Sequence, residues 1–183
     1  MNLWLVRHAL PLVEPGTCYG RLDLPADAER TQEAAVALAA VLPSGLVMAC
    51  SPAQRCRQLA DALCQLRPDL SVRLDARLQE MDFGCWEGTP WQHIPREAVD
   101  AWTADFHAHA FGGAESVGEV LHRVGQALDE ARADAAAQTV VWITHAGVAR
   151  AAQLLQQGIR TAVRADQWPV DAPDYGDWCI LAL

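Results

Sequence analysis

No apolar run in this 183-residue chain approaches the roughly 18 residues of a membrane-spanning helix. Arg7 and His8 interrupt the first apolar stretch and no cleavage signal follows, so no secretory leader is expected and a cytoplasmic protein is. Positive charge is scarce: 14 Lys and Arg stand against 23 Asp and Glu, a formal net charge of −9. That balance disfavours nucleic acid and membrane surfaces as partners, because both demand a cationic excess. The six cysteines, Cys18, Cys50, Cys56, Cys64, Cys85 and Cys179, form no CxxC pair and no Cys/His set with zinc spacing. They are expected to be reduced thiols, since a chain that is 51% apolar and of this length needs no staples. No metal site is expected either, because no cluster of carboxylates suggests Mg²⁺. Repeats, low-complexity tracts and linkers are absent.

What is present is an alternation. Short apolar runs at 2–7, 45–50, 71–75, 139–144 and 178–183 read as strands. Helical segments are expected at 29–43 with Asp27 as cap and Pro43 as stop, and at 51–66 with Ser51 as N-cap and Pro52 in the first turn. Others are expected at 96–109, 115–137 and 146–157. Continuously apolar strands separated by helices imply a three-layer α/β/α sandwich with a mostly parallel central sheet. The chain is expected to be one domain, 1–183, with residues 86–115 as a small cap-like insertion.

Ligands of such sheets bind beyond the carboxyl ends of the strands. Three chemistry-bearing pieces fall there: Arg7–His8, Ser51 to Arg55, and Thr144–His145. Two guanidiniums suit a tetrahedral dianion, because each donates in a fork to two oxygens. Helix starts near Pro52 and Ala146 add backbone N–H donors and positive dipole ends. The expected ligand is therefore a phosphate group on a small metabolite. A neutral imidazole is a competent nucleophile toward phosphorus, and an acid is then needed for the leaving alkoxide. The segment RLQEMDFGCWEG (77–88) offers Glu80, Asp82 and Glu87 for that role.

At these residues the sequence resembles the histidine phosphatase, or phosphoglycerate mutase-like, superfamily. LVRHALP is similar to its N-terminal Arg-His motif, CSPAQRCRQLAD to its Ser-Pro…Arg…Gln…Ala motif, LQEMDFGCWEG to its acid-bearing segment, and ITHAGVAR to its second His motif. The four stand in family order across residues 3–150. The resemblance implies a phosphoglycerate mutase-like fold and a phosphomonoesterase that uses neither metal nor organic cofactor. It makes His8 the nucleophile, Glu80 the proton donor, and Arg7, Arg55 and His145 the phosphoryl ligands. Within the superfamily, EMDFGCWEG, the Trp102 segment, FGGAESVGEVLHRV and the Trp178 ending most resemble α-ribazole phosphatases of cobalamin biosynthesis. Broad-specificity phosphatase and phosphoglycerate mutase are the rival activities. A phosphate-binding regulatory protein without turnover is the rival outside enzymes, although all five catalytic positions are filled.

The resemblance has departures. Ala9 stands where the family usually has Gly, Arg30 where it has another Gly, and Leu59 where it has Thr. They touch substrate contacts more than chemistry. Arg21, in a Gly-rich loop, reads as a substrate contact or a surface residue. Trp86, Trp91 and Trp102 read either as a stacking wall for a flat substrate or as packing. His107 and His109, two apart on one helix, point away from each other and read as surface residues. Whether the protein is a monomer or a homodimer is not legible in the sequence.

Overall fold

The computed structural model describes residues 1–134, 138–161 and 164–183. Among them, five strands form one sheet in the order β3-β2-β4-β1-β5: β1 (Asn2–Arg7), β2 (Val47–Cys50), β3 (Ser71–Leu74), β4 (Thr139–Thr144) and β5 (Trp178–Ala182). The first four run parallel, and β5 closes the edge antiparallel to β1. The described residues hold five α-helices: α1 (Ala28–Val41), α2 (Gln54–Leu66), α3 (Arg96–Ala104), α4 (Val117–Ala133) and α5 (Ala146–Gln156). None of these helices is long and apolar enough to cross a membrane.

The period of two in the central strands explains the layers. Leu3 and Leu5 of β1 and Trp142 of β4 join a core with α4, α5 and the aromatic residues near 83–111. Val6, Val141 and Ile143 face the other way, into a core with Met48, Cys50, α1 and α2. Strands buried on both faces read as continuous apolar runs, as Leu3–Val6 and Val140–Ile143 do.

Several boundaries differ from the sequence reading for physical reasons. The second helix begins at Gln54 with Ala53 as N-cap, not at Ser51. The Ser51 hydroxyl is held by His145 instead, and Asp23 accepts the Gln54 N–H at 2.7 Å. The helix expected over 96–109 stops at Ala104, because the chain turns there to bury Phe106 and Phe111. The long helix starts later than expected, at Val117. Ser116 and Glu119 form a reciprocal capping box at its start. Its expected extension over 135–137 lies outside the described residues.

Register sets the carboxyl edge of the sheet. Arg7 pairs with Thr144 and Cys50 with Ile143. The next residues are therefore delivered side by side: His8 N–H donates to Thr144 O at 3.1 Å, and Ser51 N–H to Ile143 O at 2.9 Å.

Candidate active site

His8, Arg55 and His145 meet just past that edge, each almost fully enclosed at 2%, 0% and 1% exposure. The two imidazole rings lie 5.1 Å apart, inclined at 62°. Their hydrogen bonds fix both tautomers. His8 Nδ1 is 2.8 Å from Ala9 O, a carbonyl that can only accept, so Nδ1 carries the proton. Its Nε2 lone pair receives Arg55 Nε–H at 3.2 Å. Arg55 Nη2 donates to His145 Nδ1 at 3.2 Å, which leaves the His145 proton on Nε2, donated to Ser51 Oγ at 2.8 Å.

Both imidazoles are neutral. Burial, then the Arg55 charge, then Arg7, push His8 down to about 3, against an opposing effect of the Ala9 carbonyl. Burial first and Arg55 second hold His145 well below the ordinary histidine range.

Arg55 is a buried cation without a carboxylate partner among the described residues. Its remaining donors go to Gly20 O at 2.6 Å and Leu22 O at 3.0 Å. That loop is organised by Glu87, whose carboxylate accepts the backbone N–H groups of Gly20, Arg21, Leu22 and Phe83 at 2.9–3.0 Å. Arg7 donates Nη1 to Pro173 O at 3.0 Å, and its guanidinium carbon lies 3.8 Å from the Tyr175 ring centroid. Its Nε is buried without a hydrogen-bond partner among the described residues. Two guanidiniums beside two neutral imidazoles make a strongly electropositive recess, which calls for an anion.

Of the three acids offered by 77–88, only Glu80 lines this recess. Asp82 accepts the N–H of Gly84, and Glu87 is consumed by the loop. Glu80 Oε2 accepts Gly147 N–H and Oε1 accepts Met81 N–H, each at 3.0 Å. A Cβ at Gly147 would push the Glu80 carboxylate from this position. The segment carrying Glu80 is held from below. Thr144 Oγ1 donates to Leu78 O at 2.8 Å, and Arg123, paired to Glu115 at 2.6 Å, donates to the carbonyls of Arg77 and Gln79.

Arg21 belongs to that support and not to the recess, which corrects its expected place as a substrate contact. Its Nε donates to Glu80 O at 2.9 Å, its Nη1 to Gln79 Oε1 at 3.0 Å, and its Nη2 lies 3.9 Å from Glu115. Ala146, first residue of α5, does line the recess.

The recess opens into a cleft of about 530 Å³ walled by Tyr19 and parts of the loop 10–17, with Phe83, Trp91, Arg150 and Tyr175. Tyr175 and Arg150 were not anticipated from sequence. Tyr19 and Tyr175 share a hydrogen bond of 2.7 Å between their hydroxyls, roofing the two arginines. The tryptophans divide. Trp86, Trp91 and Trp102 all pack on buried Phe111, with centroids 6.1, 5.9 and 4.5 Å away, and of the three only Trp91 also reaches the cleft. Among the described residues, no three His, Cys, Asp or Glu side chains gather closely enough to hold a metal ion.

The profile of the histidine phosphatase superfamily (branch 1) matches residues 3–170. Phosphoserine phosphatase 1 of Hydrogenobacter thermophilus is 32% identical over 151 residues, spanning 79% of this chain and 71% of that protein. Among solved structures, TTHB049 from Thermus thermophilus superposes with a TM-score of 0.72 at 29% identity, covering 99% of this chain and 93% of the other. A mycobacterial glucosyl-3-phosphoglycerate phosphatase complexed with VO3 gives 0.82 at 26% identity, covering 99% and 92%.

Proposed function

The chain belongs to the histidine phosphatase superfamily, and from that premise we propose that it hydrolyses phosphate monoesters of a small metabolite through a phosphohistidine on His8, with no metal or organic cofactor. The observation that carries this is Arg55: a buried cation with two neutral imidazoles as neighbours and, among the described residues, no carboxylate to neutralise it. A phosphoryl group supplies the missing negative charge.

In this reading Arg7, Arg55, His145 and the backbone at Ala146 bind the phosphoryl oxygens; His145 does so from Nδ1, the edge that faces Arg55, with the ring proton moved there and the Ser51 hydroxyl donating to Nε2. Arg55 turns its Nε–H from His8 to the phosphate, which frees the Nε2 lone pair. His8 Nε2 then forms the N–P bond while the P–O ester bond breaks, and the leaving oxygen takes a proton from Glu80. Water attacks the phosphohistidine, gives its proton to the Glu80 carboxylate, and releases inorganic phosphate with His8 restored. The buried guanidiniums stabilise charge spread over the transferring phosphoryl without reorganising.

For the substrate, the sequence features shared with α-ribazole phosphatases support α-ribazole 5′-phosphate. The similarity to a phosphoserine phosphatase supports a second reading, for which Arg150 on the cleft wall is a ready partner for a carboxylate. Phosphoglycerate mutase and broad-specificity phosphatase activities are weaker alternatives. The test is kcat/KM with chelator present for α-ribazole 5′-phosphate, O-phosphoserine, 3-phosphoglycerate and p-nitrophenyl phosphate, with His8→Ala as the blank. A clear preference for the ribazole ester, abolished in the variant, is the expected result. Equal, low rates on all four would remove the substrate assignment. Phosphate bound tightly but released from no ester would make the protein a phosphate-binding module.

A further inference from the structure

A second chamber of about 370 Å³ adjoins the phosphate recess and shares Glu80, Phe83, Trp91 and Arg150 with it. Its deeper wall is apolar: Met81, Trp102, Phe106, Val117, Val120 and Trp168. The rings are set against one another, Phe106 lying 5.3 Å from Trp102 and 5.9 Å from Trp168. Polar groups on that wall are few. The Thr103 hydroxyl donates back into its own helix at Val99 O and Asp100 O. The Trp102 indole N–H has no hydrogen-bond partner among the described residues.

Glu80 marks the boundary between the chambers. The proton donor must stand beside the ester oxygen, so the phosphoryl group lies on one side of Glu80 and the alcohol it leaves on the other. We infer that this chamber receives the leaving group, and that the leaving group is therefore a flat, largely apolar ring system rather than a small charged hydroxy acid. This rests on the phosphatase reading above and adds the substrate class. A chamber walled by aromatic rings stacks and dehydrates a ring. To a serine or glycerate moiety it offers one charged group, Arg150, whose Nη2 donates to Val170 O at 3.0 Å and whose Nε has no partner among the described residues, against a wall that is otherwise apolar but for the Trp102 indole N–H and Thr103.

The test compares esters of primary alcohols, of which the two unsubstituted alkyl esters have leaving groups of closely similar basicity, so that between them only the group in the chamber changes. These are 2-(1-naphthyl)ethyl phosphate, ethyl phosphate and O-phosphoserine. Burying a bicyclic ring should raise kcat/KM by about 30-fold or more over ethyl phosphate. Thr103→Trp, which fills the chamber from an exposed position, and Trp168→Ala, which removes one wall, should each cut that preference to below about 5-fold. Two variants with opposite volume changes keep the test independent of either one failing to fold. If naphthylethyl phosphate and ethyl phosphate differ by less than about 3-fold, or O-phosphoserine is preferred, the chamber assignment falls and the phosphatase reading stands. A preference that survives both variants also overturns it. Release of phosphate from none of the three overturns the phosphatase reading and this proposal with it.

Discussion

Lowering the pH from 7.5 to 5.0 should destabilise the fold through its two buried histidines. In the unfolded chain a histidine titrates near 6.5, whereas burial and the two arginines push His8 down to about 3 in the folded state. Between those values the unfolded state binds more protons than the folded one, so stability rises with pH and is lost as pH falls. At pH 5.0 the unfolded side chain is protonated and the folded one is not. The difference of about 1.5 pH units from 6.5 corresponds to about 2 kcal/mol from His8 alone. His145, also held well below the ordinary range, adds in the same direction. The assay is urea denaturation followed by tryptophan fluorescence in phosphate-free buffer at pH 7.5, 6.0 and 5.0. A drop of at least about 2 kcal/mol is expected. His8→Asn should remove about 2 kcal/mol of that dependence. A stability that stays flat or rises on acidification would refute the neutral-imidazole assignment, and with it the tautomers on which the nucleophile's free lone pair depends.

Two further predictions concern the carboxylates. Glu80→Gln keeps one of the two acceptor oxygens that serve Gly147 and Met81 and cannot supply or take a proton. Its kcat/KM should fall about 10²- to 10³-fold for alkyl phosphates and much less for p-nitrophenyl phosphate, whose leaving group needs no acid, while kcat falls for both because the phosphohistidine loses its base; steady-state kinetics on both ester types checks this. Glu87→Ala strips the acceptor from four backbone N–H groups. It should cost at least about 2 kcal/mol in denaturation and raise KM, because the loop carbonyls that hold Arg55 lose their anchor.

Much of the site was legible because each piece sits where an apolar run stops: Arg7–His8 after β1, Ser51 and Arg55 after β2, His145 after β4. Parallel register then brings those stops to one edge. The α/β alternation was legible for the same reason. The rest depended on contacts between distant residues. Ser51 satisfies every local rule for a helix cap, yet its hydroxyl is taken by His145, 94 positions away. Arg21 looks like a substrate contact until Glu80 O and Gln79 claim its guanidinium. Tyr175 stands in a polar stretch without periodicity. It reaches Arg7 because the chain, entering β5 beside β1, is tied there by Gly176 N–H donating to His8 O at 3.0 Å. Arg150 is one arginine on a helix whose other positions are mostly apolar, and nothing local says that it faces the cleft.

The central claim is that His8 Nε2 carries the phosphoryl group between ester and water. Rapid acid-free quenching of the enzyme with a ³²P-labelled substrate, followed by peptide mapping, tests it directly. One labelled residue is expected, His8, in an adduct stable to base and labile to acid, absent from His8→Ala and longer-lived in Glu80→Gln. Turnover with no labelled protein, or label on any other residue, would contradict it.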